Sequence, residues 1–157
     1  MARPRPHGEV FGRALVTGAS SGIGEAFVEV LRAAGVPVVA VARRVDRLES
    51  LADRLGDVEV LAADLTTPEG LAAVEARIVD DRDPTDLVVN NAAFGTSGPF
   101  VTLDVDRLER EVSLNAASLT RLSHAALRAM VPRHQGYLIN VSSIAGFQAA
   151  PGLAVYA

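Results

Sequence analysis

The sequence contains no cysteine, which excludes disulfides, thiolate metal sites and cysteine nucleophiles. It contains no lysine either, so all 15 basic residues are arginine. No apolar run approaches the ~20 residues that a membrane-spanning helix needs. The opening stretch MARPRPHGEVFGR is basic and proline-rich but lacks the apolar segment of a secretory signal. Residues 1–12 are therefore expected to form a flexible lead, and the location to be cytoplasmic. A basic surplus is missing as well. The net charge of −4 argues against a nucleic-acid partner, because phosphate contacts need a cationic face. Neither a metal site nor a membrane partner is expected.

What remains is an ordinary globular composition, with 49% apolar residues in a chain of 157. That length makes one domain, residues 13–157, the expectation, and a domain of this size buries roughly 70% of its unfolded surface. Short apolar runs at 13–19, 36–42, 57–63, 86–92 and 136–143 read as strands. Between them, 22–35, 45–55, 67–81 and 103–133 carry apolar residues at helical spacing. Thr67, Pro68 and Glu69 form a helix start, and Pro132 ends the long fourth helix. Strands that alternate with helices imply right-handed crossovers and a parallel sheet covered on both faces. The fold class is α/β.

The stretch TGASSGIG (17–24) lies between the first strand and the first helix. Gly18 permits a sharp turn after the strand. Gly22 removes a side chain where backbone would approach a pyrophosphate, and Gly24 lets the helix pack closely on the sheet. Free N–H groups at the helix start then face the phosphates, and the hydroxyls of Thr17, Ser20 and Ser21 can add hydrogen bonds. In strand–turn–helix context this reads as a dinucleotide site. An acidic residue about 20 positions further on would hold a ribose 2′-hydroxyl. Ala42 stands there instead, followed by Arg43 and Arg44. A guanidinium pair suits a 2′-phosphate, so NADP(H) is favoured over NAD(H).

Together TGASSGIG, Ala63-Asp64-Leu65, Asn90-Asn91-Ala92-Ala93, Asn115, Asn140-Val141-Ser142-Ser143-Ile144-Ala145-Gly146 and Tyr156 resemble the short-chain dehydrogenase/reductase family, in its single-domain branch. The resemblance implies a Rossmann-type doubly wound sheet with strand order 3-2-1-4-5. It implies that Ser20, Ser21 and Ile23 belong to the cofactor loop with Gly18, Gly22 and Gly24, and that Asp64 and Leu65 contact the adenine. Asn91, Ala92 and Ala93 would lie along the cofactor, with Ala93 where the family usually has glycine. Asn115 would hold a water in a proton relay, and Ser143 and Tyr156 would act on the substrate oxygen. Strand alternation reserves the inward position for one of two neighbouring serines. Ser143 is thirteen residues before Tyr156, as in the family, and is chosen; Ser142 is read as structural.

The implied reaction is hydride transfer between nicotinamide and a carbonyl or alcohol carbon, on a small and apolar ketone or alcohol. The intact family member is expected to be a homo-oligomer that pairs through the long helix. A phenol ordinarily titrates near ~10, and the family lowers that value with a lysine four residues after the tyrosine. That position would be 160, and the family also continues with further strands and helices. The alternative expectation is therefore a non-catalytic dinucleotide-binding fragment. Without further strands, 136–143 would be an exposed sheet edge, and poor solubility is expected of the isolated chain.

Overall fold

The computed structural model describes residues 11–157. Five strands alternate with helices: β1 (Ala14–Thr17), α1 (Gly22–Ala33), β2 (Val38–Ala42), α2 (Val45–Leu55), β3 (Val58–Ala62), α3 (Pro68–Ile78), β4 (Leu87–Asn90), α4 (Val105–Val112), α5 (Leu119–Met130) and β5 (Tyr137–Asn140). All four strand pairings are parallel, and the sheet order is β3-β2-β1-β4-β5. This is the parallel α/β arrangement that the alternation implied, in the Rossmann-type order that the resemblance implied. Of the expected lead, residues 1–10 lie outside the described residues. Phe11 instead stacks edge-on against Tyr137 at 5.1 Å, and the Gly12 N–H donates to Asp86 Oδ2 at 2.8 Å.

Side-chain alternation explains why the strands read as continuous apolar runs. Ala14, Val16, Val38, Ala40, Leu87 and Val89 face one apolar cluster, with Val28 and Leu31 of α1 and Leu48 and Leu51 of α2. Leu15, Val39, Val41 and Val88 face a second cluster, with Leu71, Val74 and Ile78 of α3 and Leu122, Ala125 and Ala126 of α5. Each fully buried Leu, Val or Ile contributes roughly 1.5–3 kcal/mol relative to exposure. With both faces covered, the open end of the sheet is where a ligand can be held.

The stretch 103–133 was expected to be one helix. It is helical from Val105 to Arg133, but α4 and α5 are joined by a π-helical segment, Ser113–Ser118, and the end tightens into a 3₁₀ turn at Val131–Arg133. The buried Ser118 Oγ lies 2.7 Å from the Leu65 carbonyl and 2.8 Å from the Ser113 carbonyl five residues back. The extra residue per turn thus lets the helix reach the segment that follows β3. Among the described residues, no helix is long and apolar enough to cross a membrane.

Candidate functional site

A cleft of ≈ 1020 Å³ runs along the carboxyl ends of the strands. Of the cofactor residues expected from sequence, Gly18, Ser20, Ser21, Ile23, Arg43, Arg44, Asp64, Leu65, Asn91, Ala92 and Ala93 line it, and so do Asn115, Ser143 and Tyr156. Gly22 and Gly24 do not line it; they shape the turn behind it.

Gly24 is buried, and a Cβ there would collide with the Gly18 carbonyl oxygen and stand 2.6 Å from Asn91 Nδ2. Only glycine lets α1 start this close to β4. Gly22 has φ +58° and open space around the missing Cβ, so its constraint is backbone conformation rather than room. Ser21 is the N-cap residue of α1, yet its side chain makes no capping bond. The first N–H groups of α1 therefore keep their hydrogen-bonding capacity and the helix's positive end at the cleft.

Arg44 crosses the mouth of this turn. Its Nη2 donates to Ser21 Oγ at 2.8 Å and to Ser20 Oγ at 2.9 Å, and its Nε lies 3.2 Å from Ser20 Oγ. Arg43 is 74% exposed and approaches only Asp64, at 3.7 Å. The two arginines expected as a pair thus differ: one is anchored on the glycine loop and the other is loosely held. Burial pushes the Asp64 carboxyl up. The hydroxyl and N–H of Thr66, at 2.7 and 2.9 Å, and the nearby Arg43 outweigh it, holding Asp64 below the ordinary carboxylate range.

The Thr17 hydroxyl, expected to assist phosphate binding, is spent elsewhere. It is 1% exposed, donates to the Val89 carbonyl at 3.3 Å, and accepts from the N–H groups of Asn91 and Ala92, both at 3.0 Å. Asn91 returns a bond from Nδ2 to the Thr17 carbonyl at 2.9 Å. Thr17 therefore ties the end of β1 to the turn after β4, because the two strands are neighbours in the sheet.

At the other end of the cleft, Asn115 sits in the π segment. Its Nδ2 donates to the Phe94 carbonyl at 2.8 Å, and its Oδ1 accepts from the Phe94 N–H at 3.2 Å. This bracket fixes the loop after β4, which touches Tyr156: a Cβ on Gly95 would lie 2.9 Å from Tyr156 Cδ2. The strand-alternation argument for the serines does not hold, because β5 ends at Asn140. Ser142 and Ser143 both line the cleft. Ser143 Oγ accepts from the Ala145 N–H at 3.2 Å and starts the turn Ile144–Phe147. Its own O–H remains available to donate.

Two arginines of the cleft were missed from sequence. Arg107 and Arg110 lie in the run VDRLEREV, which reads as a solvated helix face. Arg107 donates to the buried Thr96 hydroxyl at 3.1 Å, and its guanidinium stands 5.2 Å from the centre of the Phe94 ring. Arg110 lies three residues after Arg107 and four before Leu114, and that shared helix face was the available signal.

The chain matches the family described as short chain dehydrogenase over residues 13–157. It is 38% identical over 145 residues to carbonyl reductase [NADPH] 2 of Sus scrofa, covering 92% of this chain and 58% of that protein. Among solved structures, a short-chain dehydrogenase from Sphingobium yanoikuyae in complex with NADPH is 41% identical with a TM-score of 0.87, covering 92% of this chain and 58% of that one. A bulky-bulky ketone specific alcohol dehydrogenase from Comamonas testosteroni is 36% identical with a TM-score of 0.89, covering 94% and 61%. The chain spans about three-fifths of the length of the curated relatives it matches. Glycine turn, strand order and sequence match agree along the same residues, and the chain belongs to the short-chain dehydrogenase family.

Proposed function

We propose that the cleft seats NADP(H) in preference to NAD(H), and that the protein moves hydride between the nicotinamide and the carbonyl or alcohol carbon of a small substrate. The observation that carries this reading is the start of α1, where a serine in N-cap position leaves the helix uncapped beside an anchored arginine. The donor set fits the cofactor's anions. Unpaired N–H groups and the helix dipole suit a diphosphate, while the Arg44 fork over Ser20 and Ser21 suits a 2′-phosphate. The NADPH bound in the Sphingobium structure agrees with this choice.

When bound, the nicotinamide supplies or accepts the hydride. The chain's own residues manage the proton and the substrate oxygen. Tyr156 holds the proton at its phenol oxygen and exchanges it with the substrate oxygen. Ser143 donates its free O–H to that same oxygen, which its bond from Ala145 leaves it able to do. Asn115, through Phe94, keeps the loop of Gly95 against Tyr156 and so sets the phenol's position. The segment 144–155 is apolar and leaves Ile144 and Phe147 83% and 88% exposed, which favours an apolar ketone or alcohol.

Titration of NADPH and NADH against the wild type and Arg44→Ala tests the cofactor reading. The wild type is expected to prefer NADPH, and Arg44→Ala to lose about tenfold or more of NADPH affinity with little change for NADH. Equal wild-type affinity for the two would overturn it. Tyr156→Phe is expected to lower hydride transfer by roughly 10²–10⁴-fold with NADPH affinity unchanged.

A further inference from the structure

Four arginines line the cleft, Arg43, Arg44, Arg107 and Arg110. Three have partners on the protein: Arg44 on Ser20 and Ser21, Arg43 beside Asp64, and Arg107 on Thr96 and Phe94. No hydrogen bond or ion pair joins the Arg110 guanidinium to any described residue. A single carboxylate, Asp64, lines the cleft among the described residues, and it is already engaged by Thr66.

Arg110 shares its helix face with Leu114 and Leu119, all three lining the cleft. The spacing of four and then five residues keeps them in one row because the helix widens to π geometry between them. Leu114 packs on the apolar cluster that contains Ala63 and Leu65, and Ser118 holds this helix 2.7 Å from the Leu65 carbonyl. Leu65, Ala92 and Leu114 thus share one apolar cluster and, with Leu119, present an apolar slot in the cleft wall. Arg110, one helical turn before Leu114, is exposed. A flat aromatic ring between leucines fits such a slot, and a free guanidinium above its face would complete the enclosure through cation–π stacking.

Resting on the cofactor reading above, we infer that Arg110 is a further cofactor-binding residue, whose guanidinium stacks on the purine ring of the bound dinucleotide and covers it from solvent. The contribution is to the purine alone. It is therefore indifferent to the 2′-phosphate and is not felt by a cofactor half that lacks adenosine.

The test uses three probes whose reduced nicotinamide reports binding by its own emission: NADPH, NADH and reduced nicotinamide mononucleotide. Each is titrated against the wild type, Arg110→Ala and Arg128→Ala, the last an exposed arginine of α5 outside the cleft. Arg110→Ala is expected to weaken NADPH and NADH by the same factor, about fivefold, and to leave the mononucleotide unchanged. Arg128→Ala is expected to match the wild type for all three, and the cofactor-free melting temperature of Arg110→Ala is expected to be unchanged. A larger loss for NADPH than for NADH would assign Arg110 to the 2′-phosphate and overturn the inference. Unaltered binding of both dinucleotides, or an equal loss for the mononucleotide, would overturn it too. A wild type that binds neither dinucleotide defeats the underlying cofactor reading, a result distinct from these.

Discussion

Helices α1 and α3 begin in the same way and are finished differently. Each follows a strand of the one sheet, and each has a hydroxyl residue in extended conformation at its N-cap, Ser21 with φ −171° and Thr67 with φ −102°. Each also has a glycine in its first turn pressed against the preceding loop. At α3 the hydroxyl does the expected work: Thr67 Oγ1 accepts from the Gly70 N–H at 3.1 Å and donates to the Asp64 carbonyl at 3.0 Å. Pro68 and Glu69 complete a self-sufficient start. At α1 the serine turns away and accepts from Arg44 instead. A cap is worth typically about 1 kcal/mol, so α1 forgoes stability that α3 collects. On the proposed cofactor reading, the difference separates a helix end built for the fold from one held open for a ligand.

The sharpest way to break this comparison is at the two glycines. In Gly24→Ala the new methyl meets the Gly18 carbonyl and the Asn91 amide. In Gly70→Ala it meets the Asp64 carbonyl. Both should cost roughly 1–3 kcal/mol or more of stability by overpacking, read from urea denaturation. Gly24→Ala should also abolish NADPH binding, because the turn that presents the N–H groups must move. Gly70→Ala should retain it. If both bind NADPH as well as the wild type, α1 is no more a ligand site than α3.

The caps give a smaller and cleaner contrast. Thr67→Ala should lose about 1 kcal/mol of stability with NADPH affinity intact. Ser21→Ala, which removes no capping bond, should change stability by less than about 0.5 kcal/mol. Its NADPH affinity should fall about tenfold, the worth of one hydrogen bond to a charged group, in a fluorescence titration. The reverse pattern would mean that Ser21 caps α1 in solution.

The same contrast shows what could be read from residues alone. The Gly18-Gly22-Gly24 spacing, the Thr67-Pro68 start and the apolar runs are local signals, and each appears where its pattern placed it. What escaped depends on distant partners. The Thr17 hydroxyl is claimed by Val89, Asn91 and Ala92, more than seventy residues away, through the pairing of β1 with β4. Ser142 enters the cleft because β5 stops at Asn140, and pairing, not composition, decides where a strand stops. The π segment carries a long-range contact, Ser118 to the Leu65 carbonyl, that local pattern does not show. Arg107 and Arg110 were hidden by their setting, since a charged run on a helix ordinarily faces water. Asn115 lines the cleft, but its bracket on Phe94 needed the loop after β4 to be seen.

The smallest effect lies at Asp64, in the segment between β3 and α3. Burial raises its pKa, but the Thr66 hydroxyl and N–H and the charge of Arg43 lower it further, so the folded value is depressed. A depressed carboxylate contributes stability that is present above its unfolded pKa, about 3.9, and is lost as pH falls through the folded value. Thr66→Val removes the hydroxyl bond and keeps the shape. It should reduce stability near neutral pH by about 0.5 kcal/mol, a modest figure because Asp64 is partly exposed. Below the folded pKa the carboxyl is protonated in both states and this contribution vanishes, so wild type and variant should converge in urea melts as the pH is lowered. A gap that persists unchanged in acid would show that Thr66 acts by packing alone.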